Sequence, residues 1–178
     1  MSAKRHCHLH APHLFTPLFT YKSLTVNPAE LQDYLHQHIP LSRAMEVAVL
    51  DASPRHVVLT APLGPNINHR DTVFGGSASA VAILAAWSML HLCLSAEGLG
   101  SRLVIQRNTM DYVAPMDGSF TAVAHAPAPQ VWQPFTRMLQ RKGLARIVQT
   151  SALHYQGELA GQLQGEFVAF GSGYVSKA

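Results

Sequence analysis

The chain has 178 residues, 48% of them apolar and 13% charged, with a formal net charge of +3. That size and balance suit a globular chain with a real core and exclude a disordered one. No dense Lys/Arg face marks a nucleic-acid binder, and the two cysteines, Cys7 and Cys93, are too few for a disulfide framework, so a cytoplasmic protein is expected.

Residues 1–17 hold His6, Cys7, His8, His10 and His13, with Pro12 and Pro17. These are metal-ligating residue types, but their spacing fits no closed structural site, and no metal is expected. No apolar run follows Lys4-Arg5, so no signal peptide is read here. With an extended lead-in over Leu18–Val26, residues 1–26 form an N-terminal extension, and residues 27–178 are expected to be one domain. Asn27-Pro28-Ala29-Glu30 reads as a helix start: an N-cap, a proline at the first position and an acid at the third. Leu31, Leu35, His38 and Ile39 share a face, and Pro40 is expected to end the helix. Two alternating runs, Ala44–Leu50 and Arg55–Leu63, flank the turn Asp51-Ala52-Ser53-Pro54 and predict a hairpin.

A polar loop with Asn66, Asn68, His69, Arg70 and Asp71 leads into Gly75-Gly76, and no Asp, Glu, Lys or Arg occurs between Asp71 and Glu97. The spacing predicts a long, almost wholly buried helix opening at the glycines. A stretch this long and uncharged also raises the question of a membrane span. Ser77, Ser79, Ser88, His91 and the many alanines argue against it, as does the lack of a one-sided Lys/Arg cluster at its flanks. A helix apolar all round needs cover on every side, so the remaining chain should supply a wrapping sheet. At its start, unpaired amides, the helix dipole and a glycine that admits close approach together make a place to hold negative charge, either an anion or a developing oxyanion.

Glu97-Gly98-Leu99-Gly100 reads as a helix stop. Leu103–Ala114 and Ser119–Ala126 are strands, the second facing inward through Phe120, Ala122 and Ala124. Gln133–Lys142 is a short helix with Phe135, Met138 and Leu139 inward, closed by Gly143. Arg146–Gln156 and Leu159–Phe170 are the last strands, joined at Gln156-Gly157. Leu159, Gly161, Leu163, Gly165, Phe167 and Ala169 fall on the inward face of the last one, where the glycines would let a helix lie close. Six strands with one apolar helix between the second and third predict an α+β architecture, an antiparallel sheet curved round a central helix.

The stretches NINHRDTVFGGSASAVAILAAWSML and LVIQRNTMDYVAPMDGSFTA, with the basic helix before Arg146, resemble a thioesterase family of the hotdog-fold superfamily, the one found fused to an acetyltransferase in some bacteria. The resemblance spans roughly residues 27–171. It implies a hotdog fold, a homodimer or higher homo-oligomer joined edge to edge, and hydrolysis of acyl-CoA or acyl-carrier-protein thioesters at the subunit interface. It also implies that the glycine pair receives the thioester carbonyl. Asn68 matches the family's asparagine by its distance from Gly75. Phe74 stands where related thioesterases often carry His, and Val81-Ala82-Ile83-Leu84 lacks the acid they often carry on this helix.

Candidate catalytic residues are therefore Asn68, His69, Asp71, Gly75 and Gly76. The amides of Gly75, Gly76 and Ser77 would polarise the carbonyl, His69 is the usual type of general base, and Asp111 could arrive from a second subunit. Phe74 and Ser77 border the site as substrate contacts; no Gly-x-Ser-x-Gly elbow surrounds Ser77, so capping is its expected role. Arg137 and Arg141, with Lys142 and Arg146, could pair with the carrier's phosphates. Ile83 and Trp87 are candidates for an acyl slot, and Cys93, inside the apolar helix, is expected to be inert. No cofactor, metal, nucleic acid or membrane is expected. The alternatives are a non-catalytic acyl-thioester binder and a hydratase or dehydratase, which would need a placed His–acid pair.

Overall fold

In the computed structural model, residues 27–171 are described. The His-rich segment, the lead-in Leu18–Val26 and residues 172–178 lie outside them. The order is α1 (Pro28–His38), α2 (Pro40–Ala44), β1 (Ala48–Ala52), β2 (His56–Ala61), α3 (Gly75–Ala96), β3 (Ser101–Tyr112), β4 (Phe120–His125), α4 (Pro129–Lys142), β5 (Leu144–Tyr155) and β6 (Glu158–Gly171). The strands form one antiparallel sheet in the order β1-β2-β4-β5-β6-β3. This is the α+β arrangement that the sequence pattern implies.

The sheet curves so that α3 lies against β2, β3, β4, β5 and β6. Alternate residues of each strand point at the helix, among them Val57, Leu59, Phe120, Ala122, Leu153, Leu163 and Phe167, all essentially without exposure. Small side chains on the helix allow this approach: Ala82, Ala85 and Ala86 are fully buried. At mid-helix the Ser151 hydroxyl donates to the Ala82 carbonyl at 2.7 Å, tying β5 to α3. By length and mean hydropathy (1.7) α3 could cross a membrane; here it is the core helix, enclosed by its own sheet.

Local signals account for the ends of the elements. The Asn27 side chain accepts from the Ala29 amide at 3.0 Å and caps α1. At the far end of α3, Gly98 takes φ 69°, its amide donates to Ser95 and that of Leu99 to Leu94. These are the paired bonds of a Schellman stop, which needs a residue at ease in the left-handed region. Gln156 (φ 50°) and Gly157 (φ 86°) make the tight turn between β5 and β6. The Trp132 indole donates to the Glu97 carboxylate, docking α4 at the C-terminal end of α3.

Four expectations need correction. α1 stops at His38, just before Pro40 as expected, but Pro40 also opens α2, so Ala44 is helical and the strand begins at Ala48; a proline fits the first position of a helix as well as it ends one. The helix predicted from Gln133 begins at Pro129 for the same reason, which buries Trp132, while Met138 lies 46% exposed. Leu159, next to the turn, is exposed. Gly161 and Gly165 make room within the sheet rather than for the helix: a Cβ at Gly161 would press on Met110, the Asp111 carbonyl and Leu153, and one at Gly165 on Phe167 and Ile105.

On the side of α3 facing α1, Trp87 and His91 stack at 4.8 Å and Tyr34 stacks on His91 at 4.9 Å, with His38 against Tyr34. Burial holds the His91 imidazole below its ordinary pKa. The unfolded chain therefore takes up this proton at a higher pH than the folded one. The stability linked to His91 is present above about 6.5 and lost as pH falls through the lower folded value.

Two outcomes follow. Ala85→Leu should lower the unfolding free energy by about 1–3 kcal/mol in urea titration, because the packed sheet cannot yield the volume; an unchanged midpoint would mean that helix and sheet do not meet there. His91→Phe keeps a ring in the stack but cannot protonate, so stability should fall less steeply below pH 6.5 than in the parent. Parallel acid limbs would remove His91 from the pH dependence.

Candidate active site

Three segments meet where α3 begins. The first is the loop from the 3₁₀ turn Gly64–Asn66 to Phe74. Asn66 is fully buried, its amide nitrogen donating to the Met45 carbonyl (2.9 Å) and the Pro62 carbonyl (2.8 Å), and its own carbonyl accepts from the Phe74 amide (2.7 Å). The second is the β3–β4 connection, whose Met116 carbonyl accepts from the Val73 amide at 2.7 Å. The third is the β5–β6 turn: Tyr155 donates to the Asp117 carboxylate, which raises the phenol's pKa, and the Ala160 carbonyl accepts from the amides of Val113 and Ala114. The helix start is therefore clamped from both sides.

The first intrahelical bond of α3 runs from the Ala78 amide to the Phe74 carbonyl. The amides of Gly75, Gly76 and Ser77 have no partner among the described residues; Phe74 gives no side-chain cap, and the first turn holds no acid. These open donors and the helix dipole concentrate partial positive charge at one spot. A cavity of about 310 Å³ opens there, lined by Val73, Gly75, Ala78 and the run Tyr112–Met116. The Phe74 ring, 56% exposed, folds over Gly76 so closely that a Cβ there would strike it. The Tyr112 hydroxyl donates to the Gly75 carbonyl at 2.9 Å.

The sequence candidates divide in place. Gly75, Gly76, Phe74 and Ser77 converge at the helix start. Asn68 shapes the loop: its amide nitrogen donates to Thr72 Oγ1 (3.0 Å) and the Val73 carbonyl (3.2 Å), while its side-chain oxygen accepts from the Arg70 amide (2.7 Å). The turn closes on Asp71, held at φ 59°, a region that Asp tolerates better than most side chains. His69 and Asp71 are exposed at the tip and do not line the cavity. Arg137 and Arg141 are exposed on α4 at the opposite end of α3, about 30 Å from the glycine pair at 1.5 Å rise per residue. Asp111 is exposed on β3 beside Tyr112. Ile83 and Trp87 lie outside the cavity lining. Among the described residues no group of three or more His, Cys, Asp or Glu stands close enough to hold a metal ion. Burial, with a smaller contribution from Glu97, pushes the Cys93 thiol up to about 12, which leaves it protonated and unreactive.

Pattern reading missed Asn66, Met116 and Tyr112 as builders of this site. Asn66 reaches Met45 as well as nearby Pro62, and Met116 reaches Val73, long-range pairings that no local signal marks. Tyr112 sits at the end of a predicted strand, one residue from a turn motif, and that position could have flagged it.

A curved antiparallel sheet wrapped round one long central helix is the hotdog fold. A family profile described as "Putative thioesterase (yiiD_Cterm)" matches residues 28–171, and the chain belongs to that family. Solved structures agree. A protein of unknown function from Chlorobaculum tepidum TLS is 28% identical, with TM-score 0.77, over 82% of this chain and 94% of that one. A protein titled a putative thioesterase from Shewanella oneidensis is 26% identical, with TM-score 0.72, over 80% and 96%. A thioesterase from Haemophilus influenzae, 12% identical with TM-score 0.67 over 86% and 97%, shares the fold.

Asn68→Ala removes three bonds that hold the loop. It should speed hydrogen exchange of the Arg70 amide about fivefold or more, because a bond of this kind contributes about 1 kcal/mol. Unchanged exchange would show that the backbone alone holds the turn.

Proposed function

We propose that the chain hydrolyses acyl thioesters of coenzyme A or an acyl carrier protein, with the thioester carbonyl seated against the open amides of α3. The carrying observation is that Gly75 both presents an unpartnered amide and lines the cavity. Aimed donors at a developing oxyanion are commonly the largest single contribution to acyl-transfer catalysis. In this scheme water adds to the carbonyl carbon as its proton passes to His69. The C–S bond then breaks, and the thiolate takes the proton back. Since His69 does not line the cavity, its proton path runs through a bridging water or a movement of the loop. Asn68 and Asp71 hold the loop that carries it, and Phe74 and Ser77 border the bound acyl group.

We also take the working form as a homodimer in the cytoplasm. β3 is a twelve-residue edge strand, bonded to β6 on one side, with Tyr112 and Val113 exposed at its end. Antiparallel pairing of two such edges would bring the basic end of one subunit towards the glycine pair of the other. That would carry Arg137 and Arg141 towards an anionic carrier that they cannot reach within one chain.

A second reading, a non-catalytic acyl-thioester binder, draws support from a cavity lining that holds no carboxylate or imidazole. Thiol release from a panel of acyl-CoAs, set beside equilibrium binding of a non-hydrolysable thioether analogue, separates the two; binding without release across the panel would select the binder. Gly75→Pro then tests the oxyanion role. Gly75 is the first residue of α3, where proline is welcome, and Phe74 before it already has the extended φ/ψ (−63°, 131°) that proline imposes on its predecessor. The substitution deletes one amide donor, and kcat should fall about 10²- to 10³-fold with the helix retained by circular dichroism. An unchanged kcat would take that amide out of the site.

A further inference from the structure

We propose that the Tyr112 hydroxyl orients the attacking water, an assignment that rests on the thioesterase reading above. In the cavity lining, Tyr112 supplies the one side chain with a hydroxyl, amide or charge; the others are Val, Ala, Pro and Met, besides Gly75 itself. Its proton is committed to the Gly75 carbonyl at 2.9 Å, so its oxygen lone pairs remain to accept from a water. The ring is seated against Gly75, where an added Cβ would lie 3.4 Å from Cε1, Cζ and the hydroxyl oxygen alike.

Gly75 therefore carries two functions side by side. Its free amide faces the place for the thioester oxygen, and its carbonyl anchors the phenol that would hold the nucleophile. Holding both reactants against one residue is the geometry that turns an encounter into a positioned reaction. Tyr112 neither gains nor loses a proton in the step. One water hydrogen stays bonded to its oxygen, the other leaves with His69, and the water oxygen adds to the carbonyl carbon.

Tyr112→Phe keeps the ring and removes the hydroxyl. Measured on the full chain with acyl-CoA substrates, kcat should fall about tenfold, the equivalent of one neutral hydrogen bond, with KM within about twofold and a melting temperature lower by no more than about 4 °C. Hydroxylamine, an added nucleophile that does not depend on a positioned water, should cleave the thioester on the variant with a smaller deficit than water does. A kcat equal to the parent's would overturn the assignment. So would equal losses of hydrolysis and hydroxylaminolysis, since those would make Tyr112 a prop for the helix alone. A parent protein that releases no thiol from any acyl-CoA is a different outcome: it overturns the thioesterase reading, and this assignment with it.

Discussion

α3 has little it can show to water. From Gly75 to Ala96 it carries no Asp, Glu, Lys or Arg; most of its circumference is buried, and the half-buried Ala80, Ile83, Trp87 and His91 fall on the one face turned towards α1. Such a rod is stable in water only when enclosed, and that need dictates much of the rest. Five of the six strands bend around it, the alanines at 82, 85 and 86 let them come close, and inward side chains such as Phe120, Leu163 and Phe167 fill the remaining gaps. Most of the sheet's outer surface carries polar residues between scattered valines, so one core accounts for most of the burial.

Enclosure along the sides leaves the two ends of α3 as the places where its backbone can meet solvent, and the ends are treated differently. At the C-terminus, Gly98 and Leu99 fold back to use the last carbonyls, and the Glu97 side chain binds the Trp132 indole. At the N-terminus nothing comparable happens: Phe74 offers no cap, and three amides are left open beside a cavity. A Ser or Asp at position 74 would supply a cap that stabilises a helix by about 1 kcal/mol. Its absence, next to a loop and two turns held by specific hydrogen bonds, leaves those amides open to the cavity.

Much of this was legible in the amino-acid order because the signals are local. The uncharged run announced α3, Gly98 its stop, Gln156-Gly157 the last hairpin, and alternation the inward faces of β2, β4 and β6. The errors fell where one residue type serves opposite purposes. Proline ends a helix or begins one: Pro40 does both, and Pro129 begins one. Glycine in a strand makes space, but the pattern does not say for which neighbour; for Gly161 and Gly165 it is the adjoining strand and residues of the same sheet. The site was legible as a place and less so as a set of groups. The glycine pair and its loop were evident, while the clamps that seat them join Asn66 to Met45, Val73 to Met116, and Tyr112 to Gly75, pairs that only the folded chain brings together.

The position of Tyr112 links the site to the sheet's exposed edge. An unpaired strand edge invites another strand, and proteins leave a long one open at some risk of aggregation. In β3 the edge is not uniform. The Trp87 indole donates to the Leu103 carbonyl, so the core helix already engages the first half, and the register then shifts between Ile105 and Arg107. The second half, with Asn108, Met110 and Tyr112, runs to the mouth of the cavity. A strand added from another subunit would lie along that half, close to the phenol that touches Gly75. A strand added along this edge would therefore lie beside the mouth of the cavity onto which the amides of α3 open, so edge and cavity are parts of one surface.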